Sequence, residues 1–478
     1  MTSAFLLPPW AGFDEPFHHG YVEANAERLQ WPAFREIGLP LRLVEAVRRW
    51  PLPPSYAPGF SAREYGQGTA PPIRPFRETN HETQQSPMYY AGAGLLLRVL
   101  PHGDPLFELY VLRLLNAGLA FLSGLLIWTT GRQAGLGWVP VALLALIPGF
   151  GIAMCRVAND ALCATLIAAA VAGSLSRGPG NFQATVGALA AGAAPWAKLY
   201  GLAVLPSSAA REMSRSDASL RSRSVRVFLV IAPAVVLIYF STKYLGHPFP
   251  AMYNVRNAPP ASFSAVPWLR DIWTVAKSHI WISGMSFVVF PTWIYVLPTL
   301  LLASGFFLTI SRITRSNRRD LAKLAAPVAL FALALAYHDW RAFSFYGGGG
   351  GTGGWYLWAV ALPEMLLLTY GPLQRQMIRE WVLPVLAVFL ILTVLADFVL
   401  FVDSTGLLVR TARGHAIGVA PATLDRVASA YLQSRPPAVG FAAVLSAVGS
   451  WLAAAIILAT GCTARRNRRP GTAEEGGP

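Results

Sequence analysis

Charge is scarce in this 478-residue chain, where Asp, Glu, Lys and Arg together make up 13%, about half of the roughly 25% usual in soluble domains. With 54% hydrophobic residues and a mean hydropathy of +0.44, that scarcity excludes an ordinary soluble domain and leaves a multi-span membrane protein. Acid is scarcer than base, 24 residues against 39. The basic surplus lies mostly in short loops between apolar runs, which is the positive-inside pattern of membrane proteins, so no nucleic-acid partner is expected. Cysteine is nearly absent, with three in all; Cys155, Cys163 and Cys462 offer neither a disulfide framework nor a thiolate metal site. The opening residues are not expected to act as a signal peptide. "MTSAFLLPPW" is too short to span a bilayer and has no basic start.

Runs of the roughly 20 apolar residues needed to span a bilayer fall near Phe107–Thr130, Trp138–Cys155, Ala161–Leu175, Val225–Leu245, Phe287–Ile310, Leu321–Tyr337, Trp355–Tyr370, Trp381–Phe401 and Ala438–Ala459. The stretch "FQATVGALAAGAAPWAKLYGLAVLPSSAA" carries Pro195 and Lys198 at its middle, which suits two half-helices meeting at a turn. The count becomes about eleven membrane segments. The expected fold is therefore an all-α polytopic membrane protein, with residues 107–460 as its transmembrane domain and 461–478 as a basic, disordered cytoplasmic tail.

Four Arg-rich stretches, "REMSRSDASLRSRSVR", "SRITRSNRRDLAK", "PLQRQMIRE" and "TARRNRRP", can all be cytoplasmic only if the first hundred residues face outward. Residues 1–106 then form an extracytoplasmic segment, and the protein sits in the cytoplasmic (inner) membrane with that segment toward the periplasm or exterior. Within it, Leu39, Leu43, Val47 and Trp50 share one face of a helix, while Arg42, Glu45, Arg48 and Arg49 take others. That pattern predicts a helix lying in the membrane interface. "NHETQQSPMYYAGAGLLLRVL" then predicts a short apolar helix, too short to cross. Nothing in "MTSAFLLPPW" would carry this segment across, so either an additional helix ahead of it is expected or the segment is translocated with the helix that follows.

The titratable residues of the outer segment admit two readings each. Asp14 and Glu15 could open a helix, with Asp14 as cap, or carry chemistry. His18 and His19 are adjacent, so on a helix they point about 100° apart and at most one faces a given site. His81 and Glu82, with His18 or Asp14, supply imidazole and hard oxygen ligands suited to a divalent metal. Lys198, between apolar half-helices, either snorkels or faces a cavity. Arg113, about two turns into its helix, either pairs internally or meets substrate. Asn159 and Asp160 could simply cap the helix that follows. Glu364 and Asp397 are further intramembrane acids. "YGGGGGTGGW" follows no strand and carries no base, so it is a flexible loop and not a phosphate cradle.

In chain order, "DE" at Asp14 and Glu15, "HETQQSPMYY" at His81–Tyr90, "RLLN" at Arg113, "AND" ending at Asp160, "WAKLYG" around Lys198 and "GGWYLWAVALP" from Gly353 resemble the polyprenyl-phosphate-sugar glycosyltransferases of the C-type fold. That superfamily includes the protein O-mannosyltransferases and the transferase that adds aminoarabinose to lipid A. The family's first transmembrane helix has no counterpart ahead of Asp14, and Ser86 and Met88 stand where it usually has Pro and Leu. The resemblance implies an integral membrane glycosyltransferase that moves a sugar, with inversion, from a polyprenyl-phosphate donor to a glycan, lipid or protein acceptor. It implies Asp14, with Glu15, as the catalytic carboxylates, and Lys198, Arg113, Tyr89, Tyr90, Asp160, Trp355 and Tyr356 as substrate-binding residues. A divalent metal is a further option for meeting the departing phosphate. The alternative class is a transporter or a noncatalytic binder of lipid-linked glycans, against which stands the collection of polar residues at the outer ends of the spans.

Overall fold

The computed structural model of the chain describes residues 2–12, 14–28, 38–49, 80–100, 103–175, 181–214, 219–245, 265–282, 288–346, 353–410 and 416–463. These residues are overwhelmingly helical. A short α1 (Thr2–Leu6) and α2 (Glu15–Arg28) lead to α3 (Leu41–Arg49), a 3-10 turn at His81–Gln84 and α4 (Met88–Val99). The bundle proper runs through α5 (Pro105–Gln133), α6 (Val139–Leu146), α7 (Pro148–Cys155), α8 (Asp160–Leu175), α9 (Asn181–Ala197), α10 (Leu205–Ser214), α11 (Leu220–Leu245), α12 (Ala265–Ile280), α13 (Val296–Ile310), α14 (Arg318–Tyr346), α15 (Ala361–Gln374), α16 (Leu383–Ser404), α17 (Leu424–Gln433) and α18 (Pro437–Thr463). One antiparallel pair, β1 (Leu408–Arg410) with β2 (Ala416–Val419), interrupts the all-α pattern between α16 and α17.

Among the described residues, six helices are long and apolar enough to cross a membrane by themselves: α5, most of α11, the helical stretch Thr292–Ile310, most of α14, the stretch Glu380–Ser404 and most of α18. The bent pair of α7 and α8, 112° apart, makes a seventh candidate. Proline explains why one of the remaining expected segments is short. The run expected over Trp138–Cys155 divides at Ile147, which is extended at φ −82° and ψ 109° just before Pro148, as a residue preceding proline prefers. Trp355–Tyr370 divides, with no proline at the break, into a 3-10 strap, Gly354–Val360, and the 14-residue α15.

The break expected at Lys198 is present. Lys198 is extended at φ −157° and ψ 141° between α9 and a 3-10 turn, Leu199–Val204. Beyond it the chain returns alongside α8. Lys198 meets Asp160 at the first residue of α8, and Arg211 in α10 donates to the carbonyl of Gly173 near the end of that helix. The turn is tight enough that a side chain at Gly201 would sit 2.2 Å from the Ala194 carbonyl carbon.

The opening residues pack into the bundle. Thr2–Leu6 lies among α5, α7, α16 and α18, with Thr2 Oγ1 3.1 Å from the Ser446 carbonyl and 3.0 Å from Ser450 Oγ. Helix α3 has the expected amphipathic pattern, yet Leu43 and Val47 are fully buried. Its apolar face covers α2 and α5, so those side chains have no area left for a lipid interface. Trp50, the anchor expected for that face, and the glycine run at 347–352 lie outside the described residues.

Candidate functional site

One end of the bundle gathers charge. Asp160, in the first turn of α8, is buried and accepts from two cations, with Lys198 Nζ 2.6 Å from Oδ1 and an Arg156 guanidinium nitrogen 2.8 Å from Oδ2. Three aromatic rings face these cations. Lys198 Nζ lies 5.0 Å from the Tyr356 ring centre and 5.4 Å from that of Tyr200, and the Arg156 guanidinium lies 5.9 Å from the Trp355 ring. Buried charges persist only when paired in this way. Here two cations share one carboxylate, which leaves the trio with net positive charge, the sign a phosphate needs.

The approach to the trio is shaped by loops and caps. Asn116 donates to the carbonyls of Arg156 and, at 3.0 Å, Ala158, while Asn159 donates to that of Ala197 at 2.8 Å. Asn159 thus ties the α8 entry to the end of α9, which sets Lys198 against Asp160. Ser86 donates to the Trp196 carbonyl and fixes the turn before α4 to the same place. The strap bearing Trp355 and Tyr356 is held from below. Gly354 N–H donates to Ser278 Oγ at 2.7 Å, and His279 bridges the strap to α15, with Nδ1 3.2 Å from the Gly354 carbonyl and Nε2 2.8 Å from Glu364 Oε1. No side chain fits at Gly354, since a Cβ would lie 1.8 Å from the Val275 carbonyl oxygen. Glu364 is therefore paired inside the bundle, as is Asp397, which accepts from Trp451 Nε1 at 3.0 Å.

Asp14 lies just before α2 with a left-handed backbone, φ +52°, and is half-buried. Side-chain caps favour an extended backbone, whereas here the Asp14 carbonyl opens the helix by accepting from Phe17 and His18 at 2.9 Å each. Its carboxylate lies close enough to act electrostatically on His18, Arg156 and Tyr356. His18 in turn feels Lys198, Asp14, Arg156 and Asp160, and burial followed by Lys198 lowers its pKa to about 3. The imidazole is neutral, with Nδ1 2.8 Å from the Tyr90 hydroxyl and 3.4 Å from Glu82 Oε2. Tyr89 and Tyr90 meet edge-on at 5.3 Å on α4. His18, Glu82, Tyr89 and Tyr90 thus stand beside the trio.

Glu15 and Arg113 are brought together, but apart from any open surface. Both are fully buried. Arg113 pairs with both Glu15 oxygens, at 2.9 Å from Oε1 and 2.6 Å from Oε2, and also donates to the carbonyls of Ala4, Leu7 and Pro8. Glu15 further accepts from Gly12 N at 3.1 Å and Val157 N at 3.0 Å. With these groups saturated, the pair fastens the opening residues to α5 and to the loop before α8. Its contacts are those of a holding pair. The side chain of His81 lies outside the described residues. Arg156 and Tyr200 were not singled out in the sequence; the spacing of Arg156 and Asp160, four residues apart at a helix start, was the available signal.

No family model and no curated protein matches the chain. Among solved structures it is similar to the crystal structure of ArnT from Cupriavidus metallidurans bound to undecaprenyl phosphate, with a TM-score of 0.47 and 14% identity over 95% of this chain and 74% of that one.

Proposed function

We propose that the chain is a multi-pass inner-membrane glycosyltransferase of the C-type fold, with its site toward the periplasm or exterior. It would transfer a sugar from a polyprenyl-phosphate donor to a hydroxyl of a glycan, lipid or protein acceptor. The observation that carries this reading is the convergence of Lys198 and Arg156 on Asp160 beside half-buried Asp14. The aromatic faces of Tyr200, Trp355 and Tyr356 line the same place. An electropositive group for a phosphate and a carboxylate for a proton are the two requirements of the transfer.

In the proposed reaction, the acceptor oxygen attacks the anomeric carbon and Asp14 takes the acceptor proton. The bond from that carbon to the phosphate oxygen breaks, and its electron pair stays on the phosphate. Direct displacement inverts the anomeric carbon. Lys198 and Arg156 meet the phosphate charge, with Asp160 holding both in place. Tyr200, Trp355 and Tyr356 cover the cations and exclude water. His18 and Glu82 have the ligand types and spacing to hold a divalent ion, which when bound would supply Lewis-acid stabilisation of the leaving phosphate.

The test is transfer of labelled sugar by membranes carrying the wild type or Asp14→Asn, across a panel of polyprenyl-phosphate sugars. Loss of a general base predicts a drop of about 10²- to 10⁴-fold. Equal transfer by both proteins would remove Asp14 from the mechanism.

A further inference from the structure

A second buried group of ionisable side chains lies on the opposite flank of α2. His19 and Glu23, one helical turn apart, face Glu108 near the start of α5. His19 Nε2 is 3.6 Å from Glu108 Oε2, and His19 Nδ1 is 4.0 Å from Glu23 Oε2. One donor atom from each residue can be chosen so that all lie within 4.8 Å of one another. His19, Glu23 and Glu108 are buried at 0%, 6% and 1% exposure.

Two observations leave this group incomplete. His19 is fully buried, yet neither ring nitrogen has a hydrogen-bond partner among the described residues, and Glu23 Oε2 has none either. Such a polar ring in the interior costs free energy unless something satisfies it. The acids also outnumber the base. Arg42 is the cation that bridges the two carboxylates, with Nε 2.6 Å from Glu23 Oε1 and its terminal nitrogens 2.9 and 3.0 Å from the two oxygens of Glu108. Among the described residues, two carboxyl groups share this one guanidinium.

A divalent cation would resolve both. Neutral imidazole is the ligating form, and imidazole with carboxylates suits Zn²⁺ or Mn²⁺. Ligand atoms on a tetrahedral ion at about 2.0–2.2 Å stand roughly 3.3–3.6 Å apart, close to the separation of His19 Nε2 and Glu108 Oε2. Arg42 need not leave, because each carboxylate oxygen offers a second lone pair. It would then orient the two acids, as partners behind metal ligands commonly do. We propose that His19, Glu23 and Glu108 form a divalent transition-metal site that clamps α2, and with it the segment bearing Asp14, to membrane helix α5.

The test uses the full-length protein in detergent, stripped with a chelator and titrated separately with Zn²⁺ and Mn²⁺, with bound metal read by elemental analysis. The expected result is one equivalent bound by the wild type, accompanied by a rise in melting temperature. His19→Gln, which removes no hydrogen bond from the metal-free protein, should keep the metal-free melting temperature and weaken binding at least about 10-fold. Glu108→Gln should do the same to binding, and Glu82→Gln should leave this equivalent in place. Metal binding by His19→Gln and Glu108→Gln equal to that of the wild type would overturn the proposal, as would a wild type that binds neither ion.

Discussion

Two buried ion pairs, Glu15 with Arg113 and Asp160 with Lys198 and Arg156, use the same chemistry to opposite ends. In the first, one acid meets one base, and the other hydrogen bonds run to backbone groups of Ala4, Leu7, Pro8, Gly12 and Val157. In the second, Asp160 meets two bases, and aromatic faces lie against those cations. Charge-balanced groups bound to backbone hold a chain in place. An unbalanced group beside a half-buried carboxylate is suited to receive an anion. The lesson is that burial and pairing alone do not distinguish a group that holds the chain from one suited to an anion.

The comparison can be broken at each pair. Arg113→Met leaves Glu15 buried without its base, and removing one member of a buried pair costs about 3–5 kcal/mol. The variant is expected to lose its folded yield, measured by detergent size-exclusion chromatography; a wild-type yield and melting temperature would show that the pair holds nothing. Lys198→Met removes one of two cations from Asp160 and leaves Arg156 in place. It should fold and melt close to the wild type while transfer falls about 10- to 100-fold, the range expected when a charged hydrogen bond of about 1.5–3 kcal/mol is lost. Gly354→Ala pushes the strap off α12 and moves Trp355 and Tyr356 away from the cations, with a smaller loss of transfer, about 10-fold. Unchanged turnover would detach the strap from the site.

The smallest effect is on acid stability, and it sharpens the contrast between α2 and the pairs around it. Unfolded histidine titrates near 6.5, whereas burial keeps His18 and His19 down at about 3. Protons are therefore taken up by the unfolded chain first. The contribution of both rings is fully present above about pH 6.5 and is lost as the pH falls toward 3. The melting temperature, measured with chelator present, should decline over that window, and the decline should be shallower in His19→Gln.

How much was legible follows from where the partners lie. The break at Lys198 could be read because Pro195 and a lysine stand together inside an apolar run. Asp14, Lys198, Asp160, Trp355 and Tyr356 were found by their order along the chain, and the fold brings them to one end of the bundle. Arg156 was not singled out, although its spacing to Asp160 was local. The saturation of Glu15 by Arg113 could not be read, since the two are 98 positions apart and each resembles a site residue when viewed alone. The burial of Thr2–Leu6 left no trace either, because five residues are too few to show a period. His19 was named in the sequence but Glu23 was not, and Glu108 joins them only in the fold, where its Oε2 lies 3.6 Å from His19 Nε2.

The most direct measurement of the central claim is the affinity of the purified protein for a fluorescent polyprenyl phosphate without its sugar. The wild type, Lys198→Met and Asp14→Asn would be compared at fixed salt. If the trio at Asp160 receives the phosphate, Lys198→Met should bind at least about 10-fold more weakly, while Asp14→Asn should bind as well as the wild type because its role begins with the acceptor. Equal affinity in the wild type and Lys198→Met would contradict the account.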